Sequence, residues 1–140
     1  MIKSRLVQAA FAFGMLSYAG VARAELTENH FVVRTTGDLA ALCNSPKTDR
    51  LYTAAVNFCQ GFGVGTYGAF MAVQKANPRI HAFCVPDSVT RDQAGAAFVA
   101  WVGNDPDRSA LPPTDGIAAF LHETYPCPTA KPASAKGKSK

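Results

Sequence analysis

Past residue 24 the sequence has no apolar run that could cross a bilayer. Its best stretch, Val56 to Val73, is broken by four glycines and carries Asn57, Gln60 and Thr66, whereas a span needs about 20 mostly apolar residues. The marks of a nucleophile are also missing. Ser45, Ser88 and Ser109 sit in turn segments without a flanking signature, and Asp105, Asp107 and Glu123 are carboxylates with no acid–base partner beside them. No constellation meets the requirements of a catalytic site, so the expectation is a protein that is not an enzyme and uses no cofactor. There is no internal repeat. A basic face on the folded body is absent as well: from Glu25 to Pro128 the chain has 7 basic residues against 10 acidic ones, a net charge of −3. The excess of Lys and Arg over the whole chain comes from its two ends, which argues against a nucleic-acid partner.

What is present at the N-terminus is a tripartite export signal. Lys3 and Arg5 form a short basic region, Leu6 to Gly20 carries no charge, and Ala22-Arg23-Ala24 offers small side chains at the positions a signal peptidase reads. The predicted cut falls after Ala24, leaving no stable membrane insertion, and no Cys follows it that could carry a lipid. The expected location is the periplasm. The remaining 116 residues suit one domain. Their four cysteines, Cys43, Cys59, Cys84 and Cys127, read as two disulfides in an exported chain. His81, Cys84, His122 and Cys127 could be assembled into a zinc site only if the cysteines were reduced, and their spacing matches no compact zinc motif.

The rest of the chain reads as helices. Glu25 to Thr35 is expected to be extended, and Leu39 to Cys43 a short helix capped by Thr36 or Asp38. Thr48 or Asp49 opens a long helix that Asn77-Pro78 stops. That helix is apolar nearly all round, which predicts a place in the middle of the fold. Gly61, Gly65, Gly68 and Ala69 predict a close approach of another backbone. Gly63-Val64-Gly65-Thr66-Tyr67-Gly68 is a literal dinucleotide fingerprint, but it lacks the preceding strand that the motif requires. Thr90 and Gln93 form a capping box for a third helix with an apolar face of Ala94, Ala97, Phe98, Trp101 and Val102. Gly103 to Pro113 is expected to be a polar loop. Thr114 or Asp115 then caps a fourth helix with Ile117, Phe120, Leu121 and Tyr125 on its apolar stripe. Thr129 to Lys140, built from Ala, Pro, Ser, Gly, Lys and one Thr, is expected to be disordered. The fold class is therefore all-α, a small four-helix domain over residues 25–128 between a signal peptide (1–24) and a basic tail (129–140). In an up-down-up-down arrangement the simplest of three pairings is Cys43–Cys59 with Cys84–Cys127.

Four ordered motifs carry a family resemblance. They are Cys59-Gln60-Gly61-Phe62 followed by Gly65; Phe83-Cys84-Val85-Pro86 with Val89, Thr90 and Gln93; Asn104-Asp105-Pro106; and Tyr125-Pro126-Cys127. Together they resemble the Rap/Tai family of immunity proteins over Gly37 to Cys127. The resemblance implies a periplasmic, all-helical, often dimeric protein that blocks a peptidoglycan amidase delivered by type VI secretion. On that basis Asp105, Asp107 and Arg108, in the loop from Gly103 to Asp115, are the candidate partner-binding residues. Alternatives are a periplasmic helical chaperone, against which Trp101 and two disulfides suggest too stiff a domain, and a cell-envelope adaptor whose lysine tail touches anionic lipid or wall polymers.

Overall fold

Every regular element in the computed structural model, which describes residues 25–77, 79 and 82–128, is helical. A 3-10 turn at Glu28–Val32 leads into α1 (Thr36–Cys43), α2 (Tyr52–Ala76), α3 (Arg91–Val102), α4 (Pro106–Ala110) and α5 (Pro113–Thr124). The export signal, its cut, the basic tail and His81 lie outside the described residues. Among the described residues no helix is long and apolar enough to cross a membrane.

The four expected helices are all present, and α4 is added inside the segment expected to be a loop. Glu25 to Thr35, expected to be extended, contains the 3-10 turn instead. It ends at Val33, whose φ of 45° is unusual for a β-branched residue. That side chain is 8% exposed, so burial in the core holds a backbone shape that the residue would not choose alone.

Local capping explains where α1 and α3 begin. Thr35 caps α1: its hydroxyl accepts from Asp38 N–H at 3.1 Å, and Asp38 Oδ2 accepts from Thr35 N–H at 3.2 Å. The cap is thus neither expected residue: Thr36, one position later, is free to bury its side chain, and Asp38 closes the capping box from the third helical position. Thr90 and Gln93 form the expected box, with reciprocal bonds of 2.8 and 3.2 Å. At α5 no side chain caps; Pro112 and Pro113 set the backbone, and the expected Thr114 and Asp115 lie inside the helix.

The short α1 occupies the middle of the fold, the position expected of α2. Leu39 and Leu42 are 1% and 0% exposed, and α1 packs against α2, α3, α4, α5 and the 3-10 turn. In α2 only Ala55 and Cys59 are buried, and Val64, Met71 and Val73 are exposed. Its glycines bring no backbone close: an added Cβ at Gly61, Gly63, Gly65 or Gly68 would meet nothing within 4 Å. The all-round apolar character of α2 therefore does not reflect all-round burial within one chain.

Both expected disulfides form, Cys43–Cys59 with Cα atoms 5.2 Å apart and Cys84–Cys127 with Cα atoms 4.8 Å apart. The first ties the end of α1 to α2. The second ties the connector after α2 to the end of α5, where Cys84 N–H also donates to the Tyr125 carbonyl at 2.8 Å. With all four sulfurs oxidised, none is a thiolate ligand for zinc.

Asp49 fastens the start of the domain. Its Oδ1 accepts from Leu51 N–H at 2.8 Å and its Oδ2 from Leu26 N–H at 3.1 Å, so that Leu26 reaches the core at 4% exposure. The Leu51 bond first and the Leu26 bond second hold this carboxyl below its usual pKa; desolvation opposes them, and the Arg50 charge adds a smaller lowering. A carboxyl whose folded pKa is depressed contributes stability above its unfolded pKa, and that contribution is lost as pH falls through the folded value. Asp49→Asn is therefore expected to melt below the parent at pH 7, with the gap closing below about pH 4. Melts followed by circular dichroism across this range are the check; an equal gap at pH 7 and pH 3 would remove the carboxylate from the account.

Candidate partner-binding site

The site is built where α3 stops. Gly103 ends the helix at φ 49°, in the left-handed region, where a Cβ would also press on the Ala100 carbonyl at 3.3 Å. Two residues on, Asp105 caps α4, its Oδ1 accepting from Asp107 N–H at 2.9 Å and Arg108 N–H at 3.1 Å. Pro106 follows at the first helical position, where its missing N–H costs nothing. The segment between α3 and α5 is thereby folded into a rigid turn of helix.

Arg108 then turns back over α3. Its Nη1 donates to the Trp101 carbonyl at 2.6 Å, one of the carbonyls that the end of α3 leaves without a helical partner. Its guanidinium carbon lies 4.6 Å from the centre of the Trp101 ring. Nη2 donates to Glu123 Oε2 at 3.2 Å, and Nε is 3.4 Å from Asp105 Oδ2. Trp101 Nε1 donates to the same Glu123 oxygen at 2.7 Å. One guanidinium thus joins α3, α4 and α5. The side chains of Arg108, Asp105 and Glu123 are 36%, 42% and 50% exposed, so each ion pair alone contributes at most about 1 kcal/mol. What the network supplies is shape.

The three candidate residues are brought into one short segment with different tasks. Asp105 and Arg108 are engaged within the chain. Asp107 is exposed and makes no side-chain hydrogen bond or ion pair among the described residues. Glu123, noted in the sequence only as a carboxylate lacking a catalytic partner, is the anchor for Arg108 and Trp101. Its place in the next helix, 18 residues after Asp105, left no local signal, although a lone Trp followed seven residues later by Arg in a Pro-bearing segment is a usable hint of a stacked pair. The Gly63 to Gly68 fingerprint lies in the interior of α2, so no helix opens at it as dinucleotide binding requires. Among the described residues no His, Cys, Asp and Glu cluster suited to a metal ion occurs.

A second feature is an apolar cavity of about 400 Å³ between α2, α3, α5 and the connector at residues 85–90. Leu39, Phe98, Ile117, Phe120 and Leu121 form its floor, and Gln60, Asp87, Thr90 and Arg91 stand among its lining residues.

An all-α domain stapled by two disulfides belongs to the class of small disulfide-bonded helical domains, a kind that oxidising compartments favour. A family model described as Rap1a immunity proteins matches residues 35–127, and the chain belongs to that family. The match spans the interval between the Thr35 cap and Cys127, and so contains both disulfides and the whole Arg108 network. A search of curated proteins and a search of solved structures each returned no match.

Proposed function

We propose that this protein works in the periplasm, after removal of residues 1–24, as an immunity protein that binds and inhibits a peptidoglycan amidase effector of type VI secretion. Family membership supports binding of a toxin, and proteins of this family are generally not enzymes. The observation that carries the contact surface is the α4 turn. Asp105 and Arg108 hold it in shape from within, and Asp107 is left facing solvent. A pre-ordered turn binds without the entropy cost of ordering a loop.

The test uses isothermal titration of purified proteins against an exported peptidoglycan amidase effector, sought among the genes beside this one. Asp107→Lys is expected to keep the parent melting temperature and to weaken binding, by about 2–5 kcal/mol if Asp107 is buried against a cation in the complex and by far less if it stays at the rim. Arg108→Ala is expected to weaken binding and also to lower the melting temperature, because it loosens three helices at once. Full binding and inhibition by both variants would make this segment a connector and move the contact to the exposed faces of α3 and α5.

The proposal includes a homodimer. Val64 and Met71, seven residues apart and so on one face of α2, are both exposed, and exposed apolar faces mark protein–protein contacts. Sedimentation of the parent is expected to report a dimer and that of Met71→Glu a monomer. A monomeric parent would end this part of the reading.

A further inference from the structure

We infer that the cavity between α2 and α3 is a binding site for a free single-chain amphiphile, an aliphatic chain bearing an anionic head. Its volume of about 400 Å³ falls within the range of small-molecule pockets. It is more than twice the roughly 150 Å³ of an apolar cavity that accepts benzene, so it suits a chain rather than a single ring. The walls are core side chains, among them Phe98 at 5% exposure and Phe120 at 3%.

Two glycines keep the space open. Gly63 of α2 and Gly95 of α3 both line the cavity, and a Cβ added to either would meet nothing within 4 Å. Neither lets a backbone approach, and glycine is a poor residue for a helix interior. What both do is leave room between two helices that Gln60 and Asp92 hold together by a 2.8 Å hydrogen bond.

The charges at the mouth choose the head group. Arg91 lines the cavity, is exposed, and has no ion-pair partner among the described residues. It is also the first residue of α3, where the helix end carries partial positive charge. Asp87 is the opposing charge on the lining, while Asp92 beside Arg91 is turned to Gln60 and does not line the cavity. The balance favours a carboxylate over an ammonium head.

Decanoate is the probe, titrated into the full mature chain by calorimetry, with Trp101 fluorescence as a second readout because Trp101 packs 6.3 Å from Phe98 and 6.0 Å from Phe120. Decanoate is expected to bind one per chain, and decylammonium more weakly by about tenfold. Gly95→Leu and Gly63→Leu are expected to weaken decanoate by about tenfold or more while holding or raising the melting temperature, so lost binding is not lost folding. Gly65→Ala, away from the cavity, should bind as the parent does, and Arg91→Gln should erase the preference for the anion. Equal decanoate binding by the parent and both Leu variants, or no binding by the parent, would overturn the site. Equal affinity for the two heads would overturn the role of Arg91. Sedimentation with phosphatidylglycerol vesicles is expected to show no capture, and capture would overturn the free amphiphile as the occupant.

Discussion

Gly116→Ala is expected to lower the stability of this domain by about 3 kcal/mol, the upper end of what one extra methyl does in a packed core. In α5, Gly116 faces Thr36, which at 0% exposure is the only buried polar residue among the described residues. A Cβ at 116 would run into Thr36 Oγ1 and lie 2.6 Å from its Cγ2 and 2.9 Å from its Cβ. Thr36 has nowhere to go. Its N–H donates to the Leu111 carbonyl at 2.8 Å, and its hydroxyl lies 3.0 Å from that carbonyl and 3.2 Å from the Pro112 carbonyl. Displacing it would leave buried carbonyls short of partners as well as straining the core, each unmet group costing about 1–3 kcal/mol. The gain of about 1 kcal/mol in helix propensity from Gly to Ala offsets only part of this. For a domain of this size the melting temperature should fall by roughly 10–20 °C. Adding Thr36→Ala should recover part of the loss, and the double-mutant cycle would measure the coupling. Gly68→Ala is the counterpart: with nothing within 4 Å of its added Cβ, it is expected to be neutral or stabilising. An unchanged melting temperature for Gly116→Ala would mean that α5 does not press on Thr36.

Replacing Cys84 and Cys127 together by Ser is expected to cost up to about 4 kcal/mol, and replacing Cys43 and Cys59 up to about 3 kcal/mol. The order follows from the separations along the chain, 43 residues against 16, since closing the longer loop removes more freedom from the unfolded chain. The native contacts around the longer link point the same way. Without it, the Cys84–Tyr125 backbone bond and the Phe120–Tyr125 edge contact at 5.8 Å must hold the end of α5 unaided. Against a typical total stability of about 5–15 kcal/mol, a loss of this size is a large fraction. Urea unfolding of the two paired variants gives the comparison, and peptide mapping without reduction gives the connectivity. A larger loss from the Cys43–Cys59 pair would show that fastening α1, the innermost helix, matters more than loop length.

Much of this molecule was legible in local pattern. The Thr90–Gln93 box, the stop of α2 at Asn77, the all-α class and the two disulfides follow from residues close in sequence or from the simplest helical topology. Glu25 to Thr35 was misread because a 3-10 turn has too little periodicity to separate from an extended segment. The segment from Gly103 to Pro113 was misread for a different reason. Its prolines and acids are equally at home in a loop and in the first turn of a helix, and only Asp105 as a cap with Pro106 behind it distinguishes them.

By itself the sequence determined that the chain is helical, disulfide-bonded and of the immunity family, because caps, apolar spacing, cysteine number and motif order are properties of the chain alone. Tertiary structure decided which helix is central. Eight residues of α1 are short enough to be surrounded on all sides, whereas the 25 residues of α2 are longer than the rest of the domain can cover, so its apolar residues remain partly exposed. Tertiary structure also decided what each candidate residue contacts within the chain. Trp101 meets Glu123 only because α3 and α5 pack side by side, and the crossing of α2 and α3 leaves the gap beside Gly63 and Gly95. Contacts between residues far apart in sequence depend on how helices cross, and no spacing within a single helix encodes that.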